Sequence, residues 1–176
     1  MDGHSLPPAW LELWVSRVSG ALAVMADEFE HRHGFPPGTN QVRRADRGDQ
    51  AAAHALAQLD HAPADLVTFY DSIADVTWGD VGNGYFIHPV PDVLLCLEEY
   101  GAVPLGTGQD ACGLVIGSNG GGQSYVTDPD GAVHRTRTAS LDAPELDRVA
   151  DDLRHFLQLL EQSLTRFLAS GEPGHL

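Results

Sequence analysis

Apolar residues recur along this chain at two periods, and the switches between them lay out the expected elements. Over residues 8–31 (PAWLELWVSRVSGALAVMADEFEH), Leu11, Val15, Val18, Leu22, Met25 and Phe29 are spaced by four and three, the stripe of one helix face. Pro7 and Pro8 suit the first turn, where a missing N–H is no loss. The stripe has the a/d form of a coiled-coil seam, but three heptads with few flanking charges favour packing onto the chain's own domain. Gly34-Phe-Pro-Pro-Gly38 ends this helix, and residues 34–48 read as a polar loop carrying Arg43, Arg44 and Arg47. An Ala-rich helix is expected at 49–60. A third is expected at 62–77 (APADLVTFYDSIADVT), with Leu66, Phe69, Tyr70 and Ile73 on one face and Pro63 in the first turn.

Beyond residue 78 the pattern shortens. WGDVGNG (78–84) is a glycine-bounded loop, YFIHPV (85–90) a short strand cut by Pro89, and Pro91-Asp92 opens a short helix closed by Gly101. CGLVIG (112–117) is a compact apolar strand, and QSYVTD (123–128) alternates with Tyr125 and Thr127 on one side. Asp128-Pro-Asp-Gly131 is a type I turn signal, returning the chain into AVHRTRT (132–138). The last helix is expected to start at a capping box of Asp142 and Glu145. Its apolar face would run from Leu146 through Val149, Leu153, Phe156, Leu157, Leu160 and Leu164 to Leu168, ending at Gly171. Helices, a strand, a helix, an antiparallel β-meander and a closing helix make an α+β fold, not a βαβ alternation.

Charge narrows the function classes. Twenty-five acidic residues face ten basic ones, a net −15. Residues 1–61 hold five Arg against eight Asp/Glu, whereas residues 62–176 hold five against seventeen. Nucleic acid and anionic membranes need a basic face that this chain lacks, so a cationic partner is the expectation. No run of apolar residues is long enough to span a bilayer, and the N-terminal residues lack the basic start and apolar core of a secretory leader. Cys96 and Cys112 sit far apart in apolar surroundings and are expected as buried free thiols, which fits a cytoplasmic setting.

All ten basic residues are Arg, so no Walker lysine, Schiff-base lysine or Ser-Lys dyad is available. That bears on GSNGGGQS (117–124), one substitution from a phosphate-binding loop, with Gln123 in the lysine's place. A phosphate loop also needs a helix after it, and SYVTDPDG reads as strand and turn; a hairpin connection is expected. Glu28, His31 and His33 are metal-ligand types, but histidines at i and i+2 diverge on a helix, and a helix C-terminus favours them anyway. His88 and His134 are expected to be structural, and Asp128/Asp130 and Asp151/Asp152 to be solvated pairs. The Gly-x-Ser-x-Gly elbow is missing. No catalytic, metal or cofactor site is expected.

The order of segments over 62–168 resembles the SUKH family of bacterial toxin-immunity proteins and fungal cell-wall-synthesis regulators. PADLVTFYDSIADV is similar to its opening helix, GYFIHPVPDVL to its Gly-aromatic-x-Ile strand leading into a helix, GLVIGSNGGGQSYVTDPDGAV to its strand, glycine-rich turn, strand and Asp/Gly turn, and DLRHFLQLLEQ to its closing helix. Asn119 and Gln123 stand where the family commonly has acidic residues, and the first 60 residues lie outside the matched region. The resemblance implies a SUKH-like domain (62–170), and the expected organisation sets an N-terminal helical extension (1–61) before it and a flexible tail (171–176) after it. It also implies a non-catalytic immunity protein that neutralises a basic toxin, often a nuclease, by direct binding. Candidate contacts are Trp78, Asp80 and Asn83 in one loop and Asn119, Gly121 and Gln123 in the other. The alternatives are a metal- or nucleotide-dependent enzyme and a scaffold self-associating through the 8–31 helix.

Overall fold

In the computed structural model, which describes residues 5–106 and 111–176, the chain is α+β, with a helical N-terminal part and an antiparallel sheet. Helix α1 (Pro8–His33) forms as its stripe predicts, burying Leu11, Val15, Val18, Leu22, Met25 and Phe29 together with Trp14. It stops at Gly34, whose φ of 79° lets its N–H donate to the Glu30 carbonyl at 2.8 Å.

Three expectations are corrected beyond it. The first is the polar loop 34–48, which contains strand β1 (Asn40–Arg44) followed by the start of α2 (Arg47–Leu56). β1 escapes a periodicity test because Val42 is its single apolar residue; its charges are satisfied individually. Arg43 meets Asp75 at 2.7 Å and Asp49 at 2.8 Å, and Arg44 meets Glu12 at 2.6 Å. Such a charged rim is how an edge strand resists pairing with other chains.

The second correction is the third helix. α3 (Ala64–Ser72) ends before the predicted 77, and β2 (Ile73–Trp78) pairs with β1. Ile73, Ala74, Val76 and Trp78 are buried, and the β-branched Ile73, Val76 and Thr77 fit a pleated surface better than a helix. The third is the last helix. Residues 146–150 form strand β8 (Leu146–Ala150), and α5 (Leu153–Ser170) starts ten residues after the expected box, capped by Asp152 accepting from the His155 N–H at 2.7 Å. Leu146 and Val149 fit a helical repeat with Leu153, and that coincidence hid the strand.

The remaining elements are β3 (Tyr85–Ile87), α4 (Val90–Tyr100), β4 (Val103–Pro104), β5 (Cys112–Asn119), β6 (Ser124–Thr127) and β7 (Val133–Thr136). The sheet runs β1-β2-β3-β5-β6-β7-β8, with β4 on β5, every pairing antiparallel. One apolar cluster lies between the sheet and the helices and spans Leu6 to Leu176. Residues 1–61 therefore contribute to the same core as the rest. At its centre Trp14 stacks on Trp78, ring centroids 6.3 Å apart, and its indole N–H donates to the Leu157 carbonyl at 3.0 Å. Residues 171–176, expected as a flexible tail, fold back instead: Leu176 is buried, and its carbonyl accepts from the Tyr125 hydroxyl at 3.3 Å. A smaller cluster of Val103, Val115 and Val126 packs on the opposite face of the sheet. Among the described residues, no helix is long and apolar enough to cross a membrane.

Candidate functional site

Strand β6 and helix α5 share two ends, and each end carries a concave surface. At one end lies the glycine-rich turn. β5 enters it and β6 leaves it, so no helix N-terminus faces the turn and the phosphate-loop geometry is absent, as the sequence implies. Asn119 organises the turn. Its Oδ1 accepts from the Gly121 and Gln123 N–H groups at 3.0 and 3.1 Å, and its Nδ2 donates to Gln123 Oε1 at 3.0 Å. Gln123 in turn donates to the Arg137 carbonyl at 3.2 Å. These two amides, which replace acidic residues of the SUKH pattern, are spent holding their own loop.

Two glycines are required here for different reasons. Gly122 has φ 83°, a left-handed conformation that a side chain strains. Gly120 lies so close to the neighbouring loop that an added Cβ would sit 1.4 Å from the Asn83 carbonyl oxygen, while its N–H donates to the Gly84 carbonyl at 3.0 Å. The 82–84 loop and the glycine-rich turn are thus one unit. Together with residues 171–176 they wall a cleft of about 570 Å³, lined by Asn83, Asn119, Gly121 and Gln123 and also by Tyr85 and Arg135. Burial raises the pKa of Tyr85 and Tyr125, and the Arg135 charge pulls both the other way.

Four of the six predicted contact residues therefore converge; the other two do not. Trp78, expected at the contact surface, is completely buried against Trp14. Asp80 is a latch, its Oδ2 accepting from the Gly38 N–H and from Asn40 Nδ2, both at 2.7 Å, which ties the loop after β2 to the entry of β1.

At the opposite end, the Asp128–Gly131 turn meets the starts of α3 and α5 around an open groove of about 1110 Å³ lined by Asp65, Asp130, Asp151, Asp152, Arg154 and His155, among others. Asp128 holds the turn, accepting from the Asp130 and Ala132 N–H groups at 3.0 and 2.9 Å and contacting His134 Nε2 at 2.9 Å. Asp152 caps α5, and Asp65 accepts from the Leu6 N–H at 3.0 Å. Asp130 is exposed, and Asp151 is held only by the exposed Arg148 at 3.2 Å and by His155 at 4.0 Å. The sequence presents these carboxylates as two separate solvated pairs. Only the turn between β6 and β7 brings Asp130 beside the start of α5, and no local spacing reports that.

The other candidates remain apart. Glu28 pairs with Arg32 at 2.7 Å, whereas His33 packs against Phe29 and Phe35 with centroids 4.3 and 6.2 Å away. His88 follows β3 and its Nε2 lies 3.0 Å from the Ser118 hydroxyl; burial lowers its pKa, so the ring is held neutral. This His–Ser contact joins neighbouring strands and was not visible in sequence. Cys96 and Cys112 are free thiols, half-buried rather than buried, and burial raises the Cys96 pKa, which keeps that thiol protonated. The chain matches no protein-family model, and the search of curated proteins finds no relative.

Proposed function

We propose that this chain is a non-catalytic binding protein that engages a cationic protein partner through the acidic groove between the β6–β7 turn and the start of α5. The observation that carries the reading is the groove itself, where Asp130 and Asp151 stand free of strong partners on a molecule of net charge −15. Exposed carboxylates of this kind steer a basic surface and set its orientation more than they add affinity. Within the SUKH resemblance, the partner is a bacterial toxin domain, with a nuclease as the leading candidate because its substrate site is basic. An acidic protein seated there would compete with the phosphate backbone. This reading takes the protein to be cytoplasmic, the setting that its two free thiols fit.

The test is to purify the chain with toxin domains encoded beside it and to measure association at low and high salt. Neutralising the groove with Asp130→Asn and Asp151→Asn lowers the association rate constant by about tenfold at low salt and leaves dissociation nearly unchanged, as expected for rim charges. A partner that binds equally well to this double variant places the interface elsewhere. If no neighbouring toxin domain is bound or neutralised, the immunity reading fails.

A further inference from the structure

Most of the arginines are ion-paired; Arg47, Arg154 and Arg166 are not, but among the described residues only Arg135 has a guanidinium N–H sealed from solvent without a partner. Arg17 binds Glu161, Arg43 binds Asp49 and Asp75, Arg44 binds Glu12, and Arg137, just past the end of β7, binds Glu145 and Asp147. Arg135 forms no ion pair among the described residues, and its Nε is shut off from solvent with no hydrogen-bond partner. Its register explains the burial. Arg135 lies opposite Tyr125 on β6 and shares a sheet face with Val133, both of which belong to the core. The cross-strand carboxylate that could answer it, Asp147, is taken by Arg137 at 3.0 and 2.9 Å. Sealing a guanidinium N–H from water without an acceptor is costly, and native proteins do not leave such groups without a reason.

The buried Nε pins the side chain, and the remainder of Arg135 opens on a cleft. Arg135 lines the 570 Å³ cleft, a volume within the range of small-molecule sites, whose other walls are amides, glycine backbone and the Tyr85 ring. The tail forms one wall and places the Glu172 carboxylate in the lining, with His175 and Leu176 beside it. A guanidinium without an ion-pair partner, set beside neutral donors and the Glu172 carboxylate, matches at most one further negative charge. The planar fork of a guanidinium matches a carboxylate in particular, whereas a doubly charged phosphate would meet a single cation on a strongly acidic protein. We propose that this cleft binds a monocarboxylate, a small carboxylate ligand or the terminal carboxylate of a peptide, with Arg135 as its anchor and Asn83 and the glycine-rich turn supplying neutral polar contacts. The proposal does not depend on the acidic groove or on a toxin partner.

The probe is N-acetylglycine, with its uncharged methylamide and inorganic phosphate as comparisons at constant ionic strength. The side-chain Nε–H resonances of the arginines, resolved by ¹⁵N NMR, are the readout. The Arg135 signal is expected to shift saturably with N-acetylglycine at a dissociation constant on the order of 1 mM, to stay in place with the methylamide, and to respond more weakly to phosphate. Arg135→Lys keeps the charge but loses the fork and weakens binding about tenfold. Arg135→Met abolishes binding while retaining cooperative thermal unfolding, and N-acetylglycine raises the melting temperature of the parent chain only. Three results overturn the proposal: no saturable shift, equal responses to all three probes, or an Arg135→Met chain that loses stability while binding persists. In the last case Arg135 would be a counter-charge for the end of α5 and the ligand would lie elsewhere. Truncated Asn83→Ala, which leaves the anchor intact, is expected to bind within about threefold of the parent.

Discussion

The two ends of β6 and α5 are built from the same materials and put to opposite use. At the glycine-rich end the polar groups of the turn itself are committed within the protein: Asn119 by three hydrogen bonds to Gly121 and Gln123, Gln123 to the Arg137 carbonyl, Gly120 to Gly84. At the Asp128–Gly131 end a single residue, Asp128, makes the turn, which leaves Asp130 for solvent, while Asp151 is held only by the exposed Arg148 and by His155. The difference follows the direction of α5, about 27 Å long at 1.5 Å per residue, whose N-terminus favours carboxylates and whose C-terminus favours a cation. Asp151 and Asp152 stand at the first end and Arg135 lines the cleft at the second. A rigid, internally bonded end suits a shaped pocket, and an end of free carboxylates suits long-range attraction.

The strongest way to break the comparison is at Gly120. Replacing it with Ala drives a methyl into the Asn83 carbonyl, backbone that cannot swing away, so the loops must separate. A loss of at least about 3 kcal/mol in urea unfolding is expected. Gly121→Ala is the control, since its Cβ would meet nothing closer than Asn119 Oδ1 at 3.2 Å, and a cost below about 1 kcal/mol is expected. Equal costs at both positions would show that the two loops are not locked together.

The organising residues come next. Asn119→Ala and Asp128→Ala each strand backbone N–H groups in their turns and are expected to cost about 2 kcal/mol apiece. The two residues sit at opposite ends of β6, roughly 16 Å apart along the strand, so the double variant should be additive within about 0.5 kcal/mol. A larger coupling energy would mean that the ends communicate and that the contrast between them is one of degree. Smaller still is Asp152→Ala, which removes the α5 cap at the groove end. It is expected to lower stability by about 1 kcal/mol without changing the glycine-rich end, as read by amide exchange of residues 119–124.

The same contrast marks what could be read in the sequence. The α+β class, the α1 stripe, the β5–β6 hairpin and the Asp128–Gly131 turn were legible because each rests on local chemistry: a 3.6 period, a run of glycines, a proline followed by a glycine. β1 was not legible, because one valine among charged residues carries no period, and its pairing with β2 is made across the fold. β8 was masked by Leu146 and Val149 falling in helical phase with Leu153. The candidate contacts divided along similar lines. Asn119, Gly121 and Gln123 converge because the hairpin itself brings them there, and the pairing of β3 with β5 sets Asn83 beside them, while Trp78 was misplaced because a tryptophan followed by a glycine-bounded loop looks exposed until α1 is laid across it. Arg135 drew no notice, since an arginine in an alternating strand does not declare which face it takes when the next strand is unknown.

The smallest expected effect is a pH dependence, and it tests whether the glycine-rich end is as tightly closed as its hydrogen bonds imply. His88, beside Ser118 on that side of the sheet, is held below its ordinary pKa by burial, with Asp92 only partly offsetting the effect. The unfolded chain therefore takes up a proton near pH 6.5 that the folded chain still refuses. Below that pH the unfolded state binds more protons than the native one, so stability falls as pH drops and is fully present only above it. One histidine contributes a slope of at most about 1.4 kcal/mol per pH unit, and only between its folded and unfolded pKa values. Urea midpoints measured from pH 8 to pH 5 should decline below about pH 6.5, and His88→Gln should flatten part of that decline. If the substitution leaves the profile unchanged, His88 is reached by solvent, and the closure assigned to the strands leading into the turn is looser than their geometry indicates.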